Sequence, residues 1–242
     1  MAERFRLASG GGDNDPATFS GDRGGHGRRL KAEAEAAVAM QPDDVEGSGV
    51  LISFESAPGL ELALESFDVR RSGEQPELRG VRIEVGTDGE PVQVATVYVP
   101  DGKRQYFVDK IERYIESSNA GRPKNAKLVD AVASIRRATL KELWTDPIED
   151  FPPGDGATVW WEVWLTNHGG ERERFTQFVD AYQLETSDQY LGFADRSVVL
   201  LKASLLELST LFAALDDLAE LRRPHEVATF LTTLSAAEQA EW

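Results

Sequence analysis

Three histidines are the residues best suited to acid–base or metal chemistry in this sequence, and they stand far apart, at His26, His168 and His225. A hydrolytic triad needs a nucleophile bonded to a histidine that a carboxylate orients. No histidine here has a local sequence that supports this role, and no Gly-x-Ser-x-Gly elbow is present. We therefore expect His168 to be an ordinary turn residue, and we predict that the chain is not an enzyme.

Metal and phosphate motifs are missing at the spacing that binding requires. No His-x-x-x-His pair exists, and Asp13-Asn14-Asp15 lacks the twelve-residue loop and terminal glutamate of a calcium site. Gly10-Gly-Gly12 and Gly24-Gly-His-Gly27 neither follow a strand nor end in Gly-Lys-Ser/Thr, so both are predicted spacers. The chain has no cysteine, which excludes disulfides and thiolate sites. We predict no cofactor and no metal.

The overall composition narrows the class of protein further. A chain of 242 residues can bury one large core or two modest ones. Its net charge of −16 argues against a nucleic-acid or anionic membrane partner, which would need clustered Lys and Arg. No apolar run approaches 18 residues, and the first residues lack the apolar segment of a signal peptide. We expect a cytoplasmic location.

Four of the five tryptophans lie between Trp144 and Trp164, most of them in the stretch Thr158–Leu165. Apolar residues alternate in this stretch with Trp160, Glu162 and Trp164, which predicts a strand with cover on both faces. Core packing is the main expectation for the tryptophans. Trp160 and Trp164 are also candidate contacts to a partner protein.

The elements around this strand form two similar sets. After a short helix at 30–40, the first set comprises a strand at 50–56, a short helix at 60–67, a hairpin of 81–85 with 92–99, a helix from Pro100-Asp101 onward and a helix at 125–144. The second set comprises the tryptophan strand, a helix around 175–182, strand material at 183–192 and 196–203, a helix at 205–215 and a strand at 218–223. Each set can be read as strand–helix–strand–strand–helix, with a final strand in at least the second set, which is the split βαβ arrangement.

We therefore predict an α+β protein with two ferredoxin-like lobes, in which helices cover one face of each antiparallel sheet. The predicted divisions are a flexible Gly-rich arm with a short helix (1–48), a first lobe (49–146), a second lobe (157–224) and a helical linker (225–242). Ser235-Ala-Ala-Glu238 has the capping-box pattern of a helix start close to the last residue, so we expect a longer parent protein.

Ten short blocks, in order along nearly the whole chain, resemble the N-terminal region of a group of bacterial subtilisin-like serine proteases. They are Gly24–Leu30, Val50–Gly59, Leu64–Ser66, Ala95–Lys103, Pro123–Asn125, Ile135–Ala138, Leu143–Asp146, Trp160–Leu165, Asp195–Leu200 and Leu218–Pro224. The subtilase Asp, His and Ser motifs are absent from this sequence. No catalytic role can therefore be carried over to any residue.

The resemblance implies a propeptide-like or regulatory module that acts on a subtilisin-like catalytic domain in cis or in trans. Subtilase propeptides commonly have a ferredoxin-like fold, in agreement with the predicted topology. By analogy, a segment after the last strand is best placed to approach the substrate cleft, which makes Arg222, Arg223, Pro224 and His225 candidate contacts. The alternative is a module that couples the protease to a partner such as an AAA-type ATPase, often encoded beside these proteases.

Overall fold

The computed structural model of the chain describes residues 21–39, 49–67, 75–117, 123–154, 156–167, 169–215 and 217–224. The helices are α1 Arg23–Val38, α2 Tyr106–Glu116, α3 Ala126–Val129, α4 Leu140–Leu143, α5 Glu171–Tyr182 and α6 Leu205–Ala214. The strands are β1 Val50–Ser56, β2 Glu77–Val85, β3 Pro91–Val99, β4 Val132–Arg137, β5 Val159–Thr166, β6 Glu185–Thr186, β7 Leu191–Gly192, β8 Arg196–Ala203 and β9 Leu218–Arg222. Within these ranges, no helix is both long and apolar enough to span a lipid bilayer.

Two antiparallel sheets share one strand order. The first sheet runs β2-β3-β1-β4, and the second runs β6-β8-β5-β9, with β7 also paired to β8. Because β6 and β7 together hold the place of one strand, both sheets follow the order of a split βαβ unit. The chain is therefore an α+β protein, as the alternation of its strands and helices predicts.

The first lobe departs from the predicted element order at its helices. The helix expected at 60–67 is only a 3-10 turn, Leu64–Ser66, and α1 packs on α2 and β4 instead. Helix α1 begins at Arg23, so residues 23–29, predicted to be part of a flexible arm, are helical. Leu30, Ala34 and Val38 of α1 enter the core, and this burial offsets the entropy cost of its glycines. The arm prediction for residues 1–20 lies outside the described residues.

The single helix predicted for 125–144 is wrong. That segment forms α3, β4 and α4, and β4 pairs antiparallel with β1, placing Ile135 opposite Phe54. The apolar residues that suggested one helix all enter the first core, but Leu128 does so from α3, whereas Val132 and Ile135 do so from β4. Pairing with β1 and burial of two β-branched side chains decide in favour of the strand.

Each lobe has its own aromatic centre. In the first core the rings of Phe54, Phe67 and Phe107 lie 4.6–5.9 Å apart between centroids. In the second core the rings of Trp144, Phe151 and Trp161 lie 5.4–6.0 Å apart. Leu140, Leu143 and Trp144 pack in the second core, although residues up to 146 are predicted to belong to the first lobe.

The two lobes are joined by polar contacts around a buried arginine. The guanidinium of Arg79, on β2, lies 4.9 Å from the centre of the Tyr98 ring and donates a hydrogen bond to Thr166 at the end of β5. Arg82, also on β2, donates to the Lys141 carbonyl of α4 at 2.7 Å. These bonds hold side chains of β2 against the second lobe.

Candidate functional site

Strand β5 lies between β8 and β9 and has two unlike faces. Trp161, Val163 and Leu165 are fully buried in the second core, among side chains of α5 and α6. The indole N–H of Trp161 donates to the Ala203 carbonyl at 2.9 Å, so its polar group is satisfied inside the core. This half of the tryptophan strand has the core role that its alternation predicts.

The opposite side chains of β5 form the helix-free face of the second sheet. Trp160 is 38% exposed there, whereas Glu162 is buried and Trp164 is half-buried. Lys202 is the cross-strand partner of Trp160, and its ammonium lies 5.8 Å from the Trp160 ring centre. The sequence predicts that both faces of this strand are covered, but on this face the end that carries Trp160 is partly exposed to solvent.

Trp164 is fixed by neighbours on three sides. Its ring is stacked on Phe193, with 5.5 Å between centroids and 10° between planes. The Arg222 guanidinium lies 4.4 Å from the Trp164 ring centre, and the indole N–H donates to a Glu162 carboxylate oxygen at 2.8 Å. Phe193 is itself 53% exposed. We call the surface of Trp160, Trp164, Phe193, Lys202 and Arg222 the aromatic face.

The structure brings only some of the predicted partner contacts together. Arg222 joins the aromatic face, held by Glu220 at 2.6 Å and by the Thr145 hydroxyl at 3.0 Å. Arg223 contacts the loop after α4 instead, where its backbone N–H donates to Asp146 at 2.7 Å and its guanidinium lies 3.5 Å from Asp150. Pro224 follows directly. The prediction for His225 lies outside the described residues.

Two members of the aromatic face, Phe193 and Lys202, are absent from the sequence-based prediction. Lys202 lies on β8 directly opposite Trp160, a position that can be predicted only when the strand register is known. Phe193 lies in the turn between β7 and β8, where no periodic pattern applies. Its only sequence signal is a large aromatic residue in a Gly- and Asp-containing turn.

His26 has a structural role. One ring nitrogen lies 3.0 Å from the Val129 carbonyl and the other 3.3 Å from the Arg29 guanidinium. Since the guanidinium only donates, the nitrogen facing Val129 carries the proton, and the ring links α1 to α3. His168 lies outside the described residues. Among the residues that are described, no three His, Asp or Glu side chains converge as metal ligands.

A cavity of about 280 Å³ lies where the first sheet meets α4 and β9. Its polar lining includes Arg79, Arg82, Glu142 and Glu220. Burial would raise the pKa of Glu142, but hydrogen bonds from Arg136 and Thr139 outweigh it and hold that pKa below its usual range. Glu142 therefore stays ionised at neutral pH and acts as a structural anchor beside the cavity.

Comparisons with known proteins give no family assignment. No protein-family model matches the sequence, and no curated protein matches it. Among solved structures, the acetolactate synthase small subunit from Thermotoga maritima is similar at 11% identity and a TM-score of 0.24, over 72% of this chain and 91% of that chain. A TM-score at this level carries no argument about function.

Proposed function

We propose that this chain is a non-catalytic module that docks on the catalytic domain of a subtilisin-like serine protease, as a folding assistant or inhibitor. The observation that carries the proposal is the aromatic face. It presents Trp160 and Phe193 to solvent, on the face of the second sheet that no helix of the lobe covers.

The composition of the aromatic face suits a protein partner. Tryptophan, phenylalanine and arginine are enriched where protein interfaces bury the most surface, and Trp and Arg dominate binding hot spots. Trp164 is already held between Phe193 and Arg222, so little conformational freedom is lost when a partner covers it. Trp160 is less constrained and supplies the larger newly buried area.

The choice of a protease as the partner rests on the sequence resemblance described above. The doubled split βαβ order agrees with the fold that the resemblance implies. The geometry adds a route for the chain, because β9 ends at Arg222, which lies over Trp164, and Arg223 and Pro224 follow immediately. In this proposal the segment after β9 leaves from the border of the docked surface toward the substrate cleft.

Two contacts of Arg223 favour the alternative, a module that couples the protease to a partner such as an AAA-type ATPase. The Arg223 backbone is held by Asp146 and its side chain is close to Asp150. These contacts keep the chain beside the 146–150 loop at Arg223. In that case the aromatic face still binds a protein, but the tail leaves the active site of the protease open.

An inhibition assay separates the two roles. A subtilisin-like catalytic domain from the source organism is mixed with increasing amounts of the purified chain, and hydrolysis of a chromogenic peptide is followed. Loss of activity at one chain per enzyme supports docking at the cleft. Complex formation on a sizing column with full activity supports the coupling role, and failure to form any complex contradicts the proposed docking.

A further inference from the structure

Strand β2 forms one edge of the first sheet, and its last five residues differ between their two faces. Val81, Ile83 and Val85 are 41%, 68% and 82% exposed on one face, and Arg82 and Glu84 alternate with them on the other. Among the described residues, β2 pairs with β3 alone. An apolar edge strand of this kind is a template for pairing with another strand.

The hydrogen bonding of the hairpin shows which backbone groups point outward. The Gly86 N–H donates to the Glu90 carbonyl at 2.8 Å. Because bonded and non-bonded pairs alternate in an antiparallel ladder, Glu84 and Arg82 belong to the bonded series with β3. Val81, Ile83 and Val85 therefore direct their N–H and C=O groups away from β3. Pro91 faces Val85 and has no N–H, as a non-bonded position permits.

We infer that β2 pairs with β2 of a second copy of this chain, antiparallel and centred on Ile83, so that two first sheets join into one. Ile83 then lies opposite Ile83 of the second copy, and Val81 lies opposite Val85. The outward backbone groups of these residues form about six hydrogen bonds. The three apolar side chains of each strand meet on one face of the joined sheet.

Charge complementarity selects this register. Centring on Ile83 places each Arg82 opposite Glu84 of the second copy, in non-bonded pairs whose Cα atoms approach to about 4.5 Å. If the pairing were centred one residue away, on position 82 or on position 84, two Arg82 or two Glu84 side chains would lie opposite each other, which is unfavourable. In the single chain, Arg82 already lies 2.5 Å from Glu84. Pairing exchanges this ion pair between the two strands, while the bond from Arg82 to the Lys141 carbonyl uses a different guanidinium nitrogen, Nη1.

Charge reversal tests the inference through measured mass. By sedimentation equilibrium up to about 100 µM, the natural chain is expected at twice its 26.7 kDa mass. Arg82→Glu and Glu84→Arg each place like charges opposite each other, so each variant alone is expected at the single-chain mass. An equimolar mixture of the two variants restores opposite charges at every pair and is expected to recover the double mass.

The mixture also serves as the folding control, because misfolded variants would not recover pairing with each other. Lys127→Glu changes the charge equally in an exposed ion pair with Glu65, away from β2, and is expected to leave the double mass unchanged. A natural chain that stays at 26.7 kDa overturns the inference. Persistent association of either single variant, or a mixture that stays at the single-chain mass, overturns it equally.

Discussion

At the scale of single residues, Arg79 is the buried cation that connects the two lobes. Its side chain stacks on Tyr98 and donates to Thr166, and the residue is buried. Replacement by alanine removes the stacking and leaves the Thr166 hydroxyl without this donor. We expect Arg79→Ala to lower the free energy of unfolding by about 2–4 kcal/mol.

Urea unfolding followed by tryptophan fluorescence measures this loss. Arg28→Ala is the control, because Arg28 is exposed and its carboxylate partner, Asp22, lies 3.9 Å away. That variant is expected to stay within about 0.5 kcal/mol of the natural chain. Equal stability of the two variants would show that Arg79 does not hold the lobes together.

The ionised Glu142 side chain makes the free energy of unfolding depend on pH. Burial opposes its ionisation, but hydrogen bonds from Arg136 and Thr139 keep its pKa below the usual range. The stabilisation from its charge is therefore full above the ordinary glutamate pKa of about 4.3 and is lost as the pH falls below it. Glu142→Gln keeps a side chain that suits the capping box of α4 but removes the charge.

We expect Glu142→Gln to be about 1–2 kcal/mol less stable than the natural chain at pH 7. The difference should shrink as the pH falls below about 4, because the unfolded chain takes up the proton first and the folded carboxylate follows at its lower pKa. Thermal unfolding at a series of pH values measures the difference. A gap that is constant across this range would contradict the role given to the carboxylate.

Some single-residue roles were predictable from the sequence and others were not. Alternation alone separated Trp161, which is buried, from Trp160 and Trp164 on the other face. The position of Phe193 against Trp164 depends on a turn between two short strands, where no period constrains the side chain. The burial of Arg79 was also unpredictable, because its partner Thr166 comes from a distant strand of the second lobe.

At the scale of elements, the contact between α1 and α2 depends on a glycine. A Cβ atom on Gly27 would lie 2.6 Å from Cγ1 of Ile115 and 3.1 Å from the Tyr114 ring. Alanine is the better helix former by about 1 kcal/mol, but here the helices would have to separate. We expect Gly27→Ala to destabilise the chain by about 1–2 kcal/mol net.

Gly24, in the same helix, is the matched control. A Cβ atom there would meet only the ends of the Arg28 and Asp22 side chains, at 3.2 and 3.3 Å, and these can move. Gly24→Ala should therefore be neutral or stabilising by up to about 1 kcal/mol. Thermal melts of the two variants check the prediction, and a stabilised Gly27→Ala would mean that α1 does not pack closely on α2.

Elements with an unambiguous period were the predictable ones. The hairpin of β2 and β3, helix α2 and strand β5 all follow from alternation or from an apolar stripe. Strand β4 was mistaken for helix because Leu128, Val132 and Ile135 fit a helical stripe as well as they fit α3 followed by a strand. Only pairing with β1 distinguishes the two, and that contact is between residues far apart in sequence.

At the scale of the whole molecule, the strand order of the second lobe followed from the predicted elements, but the fourth strand of the first lobe and the junction of the two lobes did not. Residues 140–144 lead out of the first sheet yet pack Leu143 and Trp144 in the second core. Composition does not change there, so no boundary signal exists. The lobes are consequently expected to unfold together, and removal of either one would expose the core of the other.

The docking role of the aromatic face is tested most directly by calorimetric titration of a subtilisin-like catalytic domain with the natural chain, Trp160→Ala and Leu206→Ala. Leu206 is an exposed residue of α6, which lies on the other face of the second sheet. We predict that Trp160→Ala weakens binding tenfold or more, by about 1.4 kcal/mol at least, while Leu206→Ala binds as the natural chain does. Equal affinities for all three proteins, or no binding by the natural chain, would contradict the account.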